Sequence, residues 1–278
     1  MLALGHHALN LAEPQQIRAQ VRLLRPDVIV NAAAYTAVDP AQNDRAQAFA
    51  VNATGPGVLA EEAAALGVPL IHYSTDYVFD GRKPTPYTED DTPNPLSVYG
   101  ASKLAGEQAI QAVGGQHLIL RTSWVYSLHG KNFLLTMRRL LQERDSLSVV
   151  DDEIGAPTWA GTLATATVEL LRKWRNGEAG PSGLYHLTAT GQTSWYGFAC
   201  LIAEKLAEQG VLRARLQPIL SRDYHTAAQR PQNSRLDCSR LQHDWGIQLP
   251  DWRTAFEQCL AHPRNGQFIE PPPLAGNG

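Results

Sequence analysis

The chain has 278 residues, of which 44% are hydrophobic and 18% are charged, so it can bury a sizeable core in one or two domains. A formal net charge of −3 excludes the basic surface of a nucleic-acid-binding protein and a polybasic membrane anchor. Because Cys200, Cys238 and Cys259 form no Cys-x-x-Cys pair and the N-terminus has no signal-peptide pattern, we expect reduced thiols and a cytoplasmic protein.

Three strands are predicted in the first half of the chain, where short apolar runs alternate with helical patterns. Each begins as a continuous apolar run, as expected of a strand buried on both faces, and becomes polar and aromatic at its carboxyl end. This alternation is typical of βαβ units around a parallel sheet, which binds ligands at the carboxyl ends of its strands. The predicted strands are residues 28–34 (VIVNAAA), 69–79 (PLIHYSTDYVF) and 117–126 (HLILRTSWVY).

Helical patterns lie between these strands and continue beyond them. Gly67 is expected to end the first helix, and Gly114 with Gly115 the second. The predicted helices are residues 44–66, 97–113, 132–144, 162–175 and 194–210.

The pattern of elements changes at about residue 150, where they become shorter. We therefore predict a Rossmann-like, doubly wound α/β domain over residues 1–150 and a smaller C-terminal substrate-binding lobe, interleaved with the sheet, over residues 151–262. Residues 263–278, rich in Pro, Gly and Asn, have little to bury and are predicted to be disordered.

Thr75, Tyr99 and Lys103 carry the clearest chemistry. Tyr99 and Lys103, four residues apart, share one helical face, so the ammonium can lie beside the phenol and lower a tyrosine pKa that is ordinarily about 10. Reduction of a carbonyl needs a hydride on carbon and a proton on oxygen. We predict that the Tyr99–Lys103 pair supplies the proton, that the Thr75 hydroxyl shares the carbonyl oxygen, and that Lys103 also holds the ribose of a nicotinamide cofactor.

Such a Tyr-x-x-x-Lys pair is common on exposed helices, so its context matters. With the stretches around it, the chain resembles the extended short-chain dehydrogenase/reductase superfamily and, within it, the dTDP-4-dehydrorhamnose reductases, from about residue 10 to about residue 260. The matching stretches are RPDVIVNAAAYTAVD (25–39), VNATG (51–55), HYSTDYVFDG (72–81), PLSVYGASKLAGE (95–107), RTSWVY (121–126), GAPTWA (155–160), GLYHL (183–187) and RPQNSRLD (230–237).

The resemblance implies reduction of dTDP-4-dehydro-L-rhamnose to dTDP-L-rhamnose by NADPH or NADH, the last step in making an activated sugar for cell-surface polysaccharide. It implies that Tyr99 donates the proton, Lys103 assists it and binds the cofactor, and Thr75 polarises the carbonyl. The further positions it implies for the cofactor are Asn10, Leu11, Ala34, Tyr35, Thr36 and Tyr73. Those it implies for the substrate, besides Thr75, are Asp76, Trp124, Arg230 and Asn233.

Several implied positions also have a simpler structural explanation, which the sequence leaves open. Trp124 can be a core residue whose N–H is bonded internally. Asp76 can cap the turn that follows it. The small residues 31–34 can serve tight packing as well as cofactor approach, and Arg230 can belong to a solvated loop.

A metal ion and a partner subunit are suggested only by the resemblance, not by the residues themselves. Some family members carry Mg²⁺ at a dimer interface, so the resemblance allows a homodimer with such a site. No His/Asp/Glu spacing here predicts a catalytic metal, and we assign no metal ligand.

The front of the chain departs from the family pattern, which begins with a strand, a Gly-x-x-Gly-x-x-Gly turn and a helix that bind the cofactor pyrophosphate. Residues 9–14 (LNLAEP) align with the strand and loop that normally come third, so roughly thirty residues of a βαβ unit are expected to be absent. The absent strand is the central one, which predicts two unpaired sheet edges and no phosphate cradle. A start upstream of Met1 and a truncated, non-catalytic descendant both explain this, and the preference for NADPH or NADH stays open.

Two other functions stay open. The first is another enzyme of the superfamily, such as a nucleotide-sugar epimerase or dehydratase; dehydratases usually place acidic residues beside the central Thr, whereas Thr75 is followed by a single Asp76. The second is a non-catalytic binding subunit with this fold, which the absent glycine pattern favours and the retained Thr75, Tyr99 and Lys103 oppose.

Overall fold

The structure, a computed structural model, describes residues 2–262, so the predicted disordered tail lies outside the described residues. The helices of the described chain are α1 (Pro14–Leu24), α2 (Val38–Ala41), α3 (Arg45–Phe49), α4 (Gly55–Leu66), α5 (Val98–Val113), α6 (Phe133–Glu143), α7 (Ala160–Arg175), α8 (Trp195–Glu208), α9 (Ser239–Trp245) and α10 (Trp252–Ala261). Its strands are β1 (Ile29–Asn31), β2 (Leu70–Thr75), β3 (His117–Thr122), β4 (Val125–Tyr126), β5 (Ser146–Val150), β6 (Ile154–Gly155), β7 (Thr158–Trp159), β8 (Gly183–His186), β9 (Thr193–Ser194) and β10 (Arg215–Ile219).

The main sheet is parallel, with strand order β1-β2-β3-β8. Thr75 and Thr122 are register partners, so the polar ends of β2 and β3 meet at the same carboxyl edge. This confirms the predicted α/β class and the three predicted strands, although each is shorter than its apolar run suggested. Trp124, at φ 50°, turns the chain out of the sheet after β3, and β4 then pairs with β7.

Helices cover both faces of this sheet, which explains why its strands read as continuous apolar runs. On one face, Leu70 and Ile119 pack with residues of α1, α4 and α5. On the other, Ile71, Leu118 and Leu120 pack with residues of α7 and α9. Alternate residues of one strand are therefore buried in different hydrophobic clusters, one on each face of the sheet.

The crossover helix predicted over residues 44–66 is interrupted. It consists of α3, a π-helical turn over Ala50–Thr54 and α4. The turn lies where the backbone of Asn52 meets α5: a Cβ at Gly106 would lie 2.1 Å from the Asn52 carbonyl oxygen. Gly67 (φ 68°) and Gly114 (φ 74°) cap α4 and α5, as predicted.

The second half of the chain contributes β8 to the main sheet and also has a core of its own. Around Phe198, Trp252 and Phe256, residues of α6, α8 and α10 form a separate buried cluster. Short pairs of strands, β5 with β10 and β6 with β9, lie beside it. The division into two lobes near residue 150 stays a prediction. No helix within residues 2–262 is long and apolar enough to cross a membrane.

The segment 9–14, which was expected to align with a strand and a loop, contains no strand. Residues 9 and 10 have no regular structure, and residues 11 and 12 form a turn before α1. The order of the main sheet places β1 and β8 at its two edges, and Val30 of β1 is 40% exposed.

Candidate active site

The catalytic trio predicted from the sequence converges where β2 ends and α5 begins. Thr75 is the last residue of β2, and its hydroxyl accepts a hydrogen bond from the Tyr77 N–H at 3.2 Å, which starts a 3-10 turn. The first turn of α5 lies directly on this turn, because a Cβ at Gly100 would be 2.1 Å from the Tyr77 carbonyl oxygen. A glycine at this position therefore lets Tyr99 approach Thr75.

The Tyr99 phenol faces the Thr75 hydroxyl in a poorly hydrated site. Burial raises the pKa of Tyr99 to about 12, while its hydrogen bond with the Thr75 hydroxyl opposes that rise. The Tyr77 ring lies edge-on to Tyr99, with 5.5 Å between ring centroids. Tyr99 is thus protonated at neutral pH and has a hydroxyl partner beside it.

Lys103 lies on the same face of α5 but is held by β2. Its side chain is 2% exposed, and its Nζ donates to the Tyr73 carbonyl oxygen at 2.6 Å and lies 3.1 Å from His72 Nε2. Burial lowers the pKa of Lys103 to about 8, against the opposing effect of the Glu107 carboxylate. In this structure burial raises the pKa of Tyr99, and the Lys103 amine bonds to β2, so assistance of Tyr99 by Lys103 stays a prediction.

A buried ion pair holds α5, the helix that carries Tyr99 and Lys103, against the sheet. Arg121 on β3 donates to Glu107 on α5 through Nε (2.9 Å) and Nη2 (2.6 Å), and each side chain is 2% exposed. The Ser74 hydroxyl donates to the same carboxylate. These contacts join α5 to two strands one turn beyond Lys103.

The predicted cofactor segment 34–36 is an open loop after β1, and Asn52 fixes its backbone. Asn52 Oδ1 accepts from the Tyr35 N–H at 2.8 Å, and Nδ2 donates to the Tyr35 carbonyl at 3.0 Å. Nδ2 also donates to Ser102 Oγ at 3.0 Å, next to Lys103 in α5. No local pattern pointed to a role for Asn52 or His72, although both lie in stretches that carry the resemblance.

Three other positions predicted to contact the cofactor have partners within the chain. The Tyr73 hydroxyl bonds to Thr167 on α7, across the sheet from Lys103, because side chains alternate along β2. Its backbone carbonyl, which accepts from Lys103, lies on the catalytic side, and a cofactor contact by Tyr73 stays a prediction. Leu11 is buried against α1 and α4, and Asn10 Oδ1 accepts from the Ala12 N–H at 3.0 Å. Cofactor contacts at Asn10 and Leu11 stay predictions.

Asp76 is buried directly beside Thr75. Its Oδ1 accepts from the Thr75 hydroxyl at 3.1 Å, whereas Oδ2 has no hydrogen-bond partner within residues 2–262. Burial raises the pKa of Asp76 to about 6, although Ser234 approaches the carboxyl and favours its charged form. Thr75 caps the following turn, and backbone N–H groups of that turn also approach the Asp76 carboxyl, so a structural role and a substrate contact both stay open for Asp76.

Trp124 lies at the rim of the site in a stack of aromatic rings. It stacks on Trp195 with 3.6 Å between centroids and 9° between planes, and a Cβ at Gly155 would lie 2.6 Å from its ring. Trp195 Nε1 donates to Glu153 at 3.1 Å. Trp124 is only partly buried, so packing and a substrate contact are both compatible with its position.

The stretch 230–235 reaches the site, but its residues have different roles. Arg230 Nη2 lies 2.9 Å from Asp39, and the guanidinium acts electrostatically on Tyr77 and Glu153. Asn233 donates to the carbonyls of Lys83 (2.7 Å) and Thr85 (2.8 Å) and accepts twice from Arg235. Both amide hydrogens and the amide oxygen of Asn233 are thus bonded within the chain, and its predicted contact with the substrate stays a prediction. These bonds order the loop.

No group of three or more His, Cys, Asp or Glu side chains in the described part of the chain could hold a metal ion.

Comparison with known proteins places this geometry in a family. Residues 1–265 match the family described as RmlD substrate binding domain. The chain is 45% identical over 261 residues to dTDP-4-dehydrorhamnose reductase of Sinorhizobium fredii, covering 94% of this chain and 88% of that protein. It is 44% identical over 253 residues to the Escherichia coli K12 enzyme of the same name, covering 90% and 84%.

The fold matches a crystal structure of the same kind of enzyme. The dTDP-4-dehydrorhamnose reductase from Bacillus anthracis, in complex with NADP, superposes with a TM-score of 0.86 at 34% identity. The match covers 93% of this chain and 88% of the other.

Proposed function

The chain belongs to the RmlD substrate binding domain family, and on that premise we propose that it reduces dTDP-4-dehydro-L-rhamnose to dTDP-L-rhamnose with a nicotinamide cofactor. The observation that carries the proposal is the placement of the Thr75 and Tyr99 hydroxyls together at the carboxyl edge of the sheet, with Lys103 buried one helical turn further along α5. Two hydroxyls that converge on one point can share the oxygen of a ketone.

The residues present fit a nicotinamide cofactor at the end of β1. The segment after β1 has small, exposed residues at 32 and 33, and its backbone is fixed by Asn52. Ala34, Tyr35 and Thr36 would line the cofactor, and Lys103 would hold its ribose. When bound, the cofactor supplies the hydride. We favour NADPH, because the relative from Bacillus anthracis was crystallised with NADP.

The chain's own groups supply the proton and the orientation of the sugar. Tyr99, protonated at neutral pH, gives its hydroxyl proton to the C4 oxygen as that oxygen gains charge. Thr75 donates a hydrogen bond to the same oxygen. The carboxylate of Asp76 is buried beside Thr75 and would accept a hydrogen bond from a sugar hydroxyl. That bond would give Oδ2 a partner. Trp124 and Arg230 would border the sugar and the charged part of the substrate.

The test is oxidation of NADPH and NADH, followed at 340 nm, with dTDP-4-dehydro-L-rhamnose generated in situ. We expect turnover, with product identified as dTDP-L-rhamnose by chromatography, and a loss of turnover in Tyr99→Phe. Binding of the sugar nucleotide without turnover by the wild-type chain would instead support a non-catalytic binding subunit.

Homodimer formation and a cytoplasmic location belong to the same proposal. Sedimentation of the purified chain with and without Mg²⁺ tests the first of these. A monomer under both conditions would contradict the predicted homodimer and the Mg²⁺ site at its interface.

A further inference from the structure

Asn31, His72 and Lys103 form a buried line of side chains from β1 through β2 to α5. Their exposed fractions are 5%, 0% and 2%. Asn31 Nδ2 lies 3.0 Å from His72 Nδ1, and Lys103 Nζ lies 3.1 Å from His72 Nε2. Both ring nitrogens of His72 are therefore occupied by nitrogen partners, which is an unusual arrangement because both partners are ordinarily donors.

The orientation of the Asn31 amide is fixed by the backbone. The Ala33 N–H can only donate, and it donates to Asn31 Oδ1 at 3.2 Å. The amide nitrogen must then face His72, so His72 Nδ1 has to be the acceptor of that contact. Burial, with the nearby Lys103, lowers the pKa of His72 well below its usual value, so the ring is neutral and carries one proton. That proton is consequently on Nε2.

We propose that Asn31 and His72 form a tautomer lock, in which Asn31 places the single proton of His72 on Nε2 so that it faces Lys103 Nζ and disfavours the ammonium form. With Nε2–H directed at it, Nζ can complete this contact only as a neutral amine that accepts. An ammonium would place two donors against each other at 3.1 Å. Asn31 and His72 are thus positioning residues that act through Lys103.

The other groups that face Lys103 are consistent with such control. The Tyr73 carbonyl accepts one N–H at 2.6 Å, which both protonation states can provide. From its own helix, Glu107 favours the ammonium, but that carboxylate is paired with Arg121 on β3. The lock therefore determines at what pH Lys103 loses its charge. The consequence for catalysis rests on the proposed function, since a charged Lys103 is needed to assist Tyr99 and the cofactor, but the lock itself can be tested without turnover.

The first experiment determines the tautomer by two-bond ¹H–¹⁵N correlation spectra of the full chain with labelled histidine. The chain has nine histidines, and His72→Gln identifies the signal of His72. We expect a neutral ring protonated on Nε2 from pH 6 to 9. Protonation on Nδ1, or a charged ring at pH 7, would overturn the proposal whatever the activity of the protein.

The second experiment follows the charge of Lys103 through the ¹³Cε shifts of the five lysines. In the wild-type chain Lys103 should titrate near pH 8. In His72→Gln, whose carbonyl oxygen can turn toward Nζ and accept, the midpoint should rise by at least about one pH unit. The alkaline limb of kcat/KM should move with it.

The matched control is His186→Gln, which removes another fully buried histidine. His186 lies on β8, not on β2, and contacts the Tyr87 carbonyl at 3.1 Å and the Phe79 ring. It should lower stability without moving the Lys103 midpoint. Equal midpoints in the wild type and His72→Gln, or equal shifts in both variants, would overturn the lock. Should His72→Gln fail to fold, Asn31→Ala provides the same test, because it frees Nδ1 to carry the proton.

Discussion

Replacing Arg121 by Met should destabilise the protein strongly, because it leaves a buried carboxylate without its cation. The change removes two hydrogen bonds, of 2.9 and 2.6 Å, from Glu107, whose side chain is 2% exposed. Ser74 alone then remains to stabilise that charge.

The expected cost is about 3–5 kcal/mol, the range for breaking a buried pair by removing one partner. Loss of the Arg121 contact with the Phe79 ring, 5.0 Å away, adds to it. For a chain of this size the cost corresponds to a fall in Tm of roughly 6–20 °C. The double variant Glu107→Leu, Arg121→Met should recover most of the loss, since Arg121 Nη1 is already buried without a partner in the described chain.

The assay is urea unfolding of the two single variants and the double variant, analysed as a double-mutant cycle. Arg139→Ala is the control, because its ion pair with Glu143 is 59% and 54% exposed and should be worth less than about 1 kcal/mol. A cost for Arg121→Met no larger than that of the control would refute this account of the pair. So would a double variant that loses the sum of the two single costs.

Three further predictions follow from the same site. Tyr99→Phe should lower kcat by about 10²–10⁴-fold with an unchanged Tm, and loss of the fold instead would contradict its role as proton donor. Asp76→Asn should be more stable than the wild type by about 1–3 kcal/mol at pH 7, because the folded wild type binds the Asp76 proton up to about pH 6 and the unfolded chain only up to about pH 4. The free energy of unfolding of the wild type should therefore fall as the pH rises from about 4 to 6. Below about pH 4, the urea unfolding curves of the two proteins should coincide. Gly106→Ala should destabilise the protein by roughly 1–3 kcal/mol, because the new Cβ would lie 2.1 Å from the Asn52 carbonyl oxygen, and this cost exceeds the helix-favouring effect of alanine. A Tm equal to or above that of the wild type would show that the π-helical turn adjusts freely.

The sheet and the catalytic trio were predictable because both depend on local sequence patterns. Strands buried on both faces are continuous apolar runs, and β2 and β3 follow this pattern with their polar ends in register. Tyr99 and Lys103 share a helical face through their spacing alone. Gly67 and Gly114 ended their helices for the same local reason.

The partners of the catalytic side chains depend on contacts between distant segments, which no local pattern reports. Lys103 is held by His72, 31 residues away, and not by Tyr99, four residues away. Tyr73 is turned from the catalytic side by the alternation of β2, and Asn233 is used by carbonyls about 150 residues earlier in the chain. A turn within the run 117–126 required a non-glycine residue, Trp124, at positive φ, which sequence propensity disfavours.

The central claim is that this chain transfers hydride to C4 of the sugar while Tyr99 supplies the proton. The most direct measurement supplies NADPH carrying deuterium at the transferable position and determines the mass and ¹H NMR spectrum of the sugar product. We predict one deuterium at C4 of dTDP-L-rhamnose with the wild-type chain, and product formed about 10²–10⁴-fold more slowly with Tyr99→Phe. A wild-type product without deuterium at C4, or equal rates of deuterium incorporation by both proteins, would contradict the account.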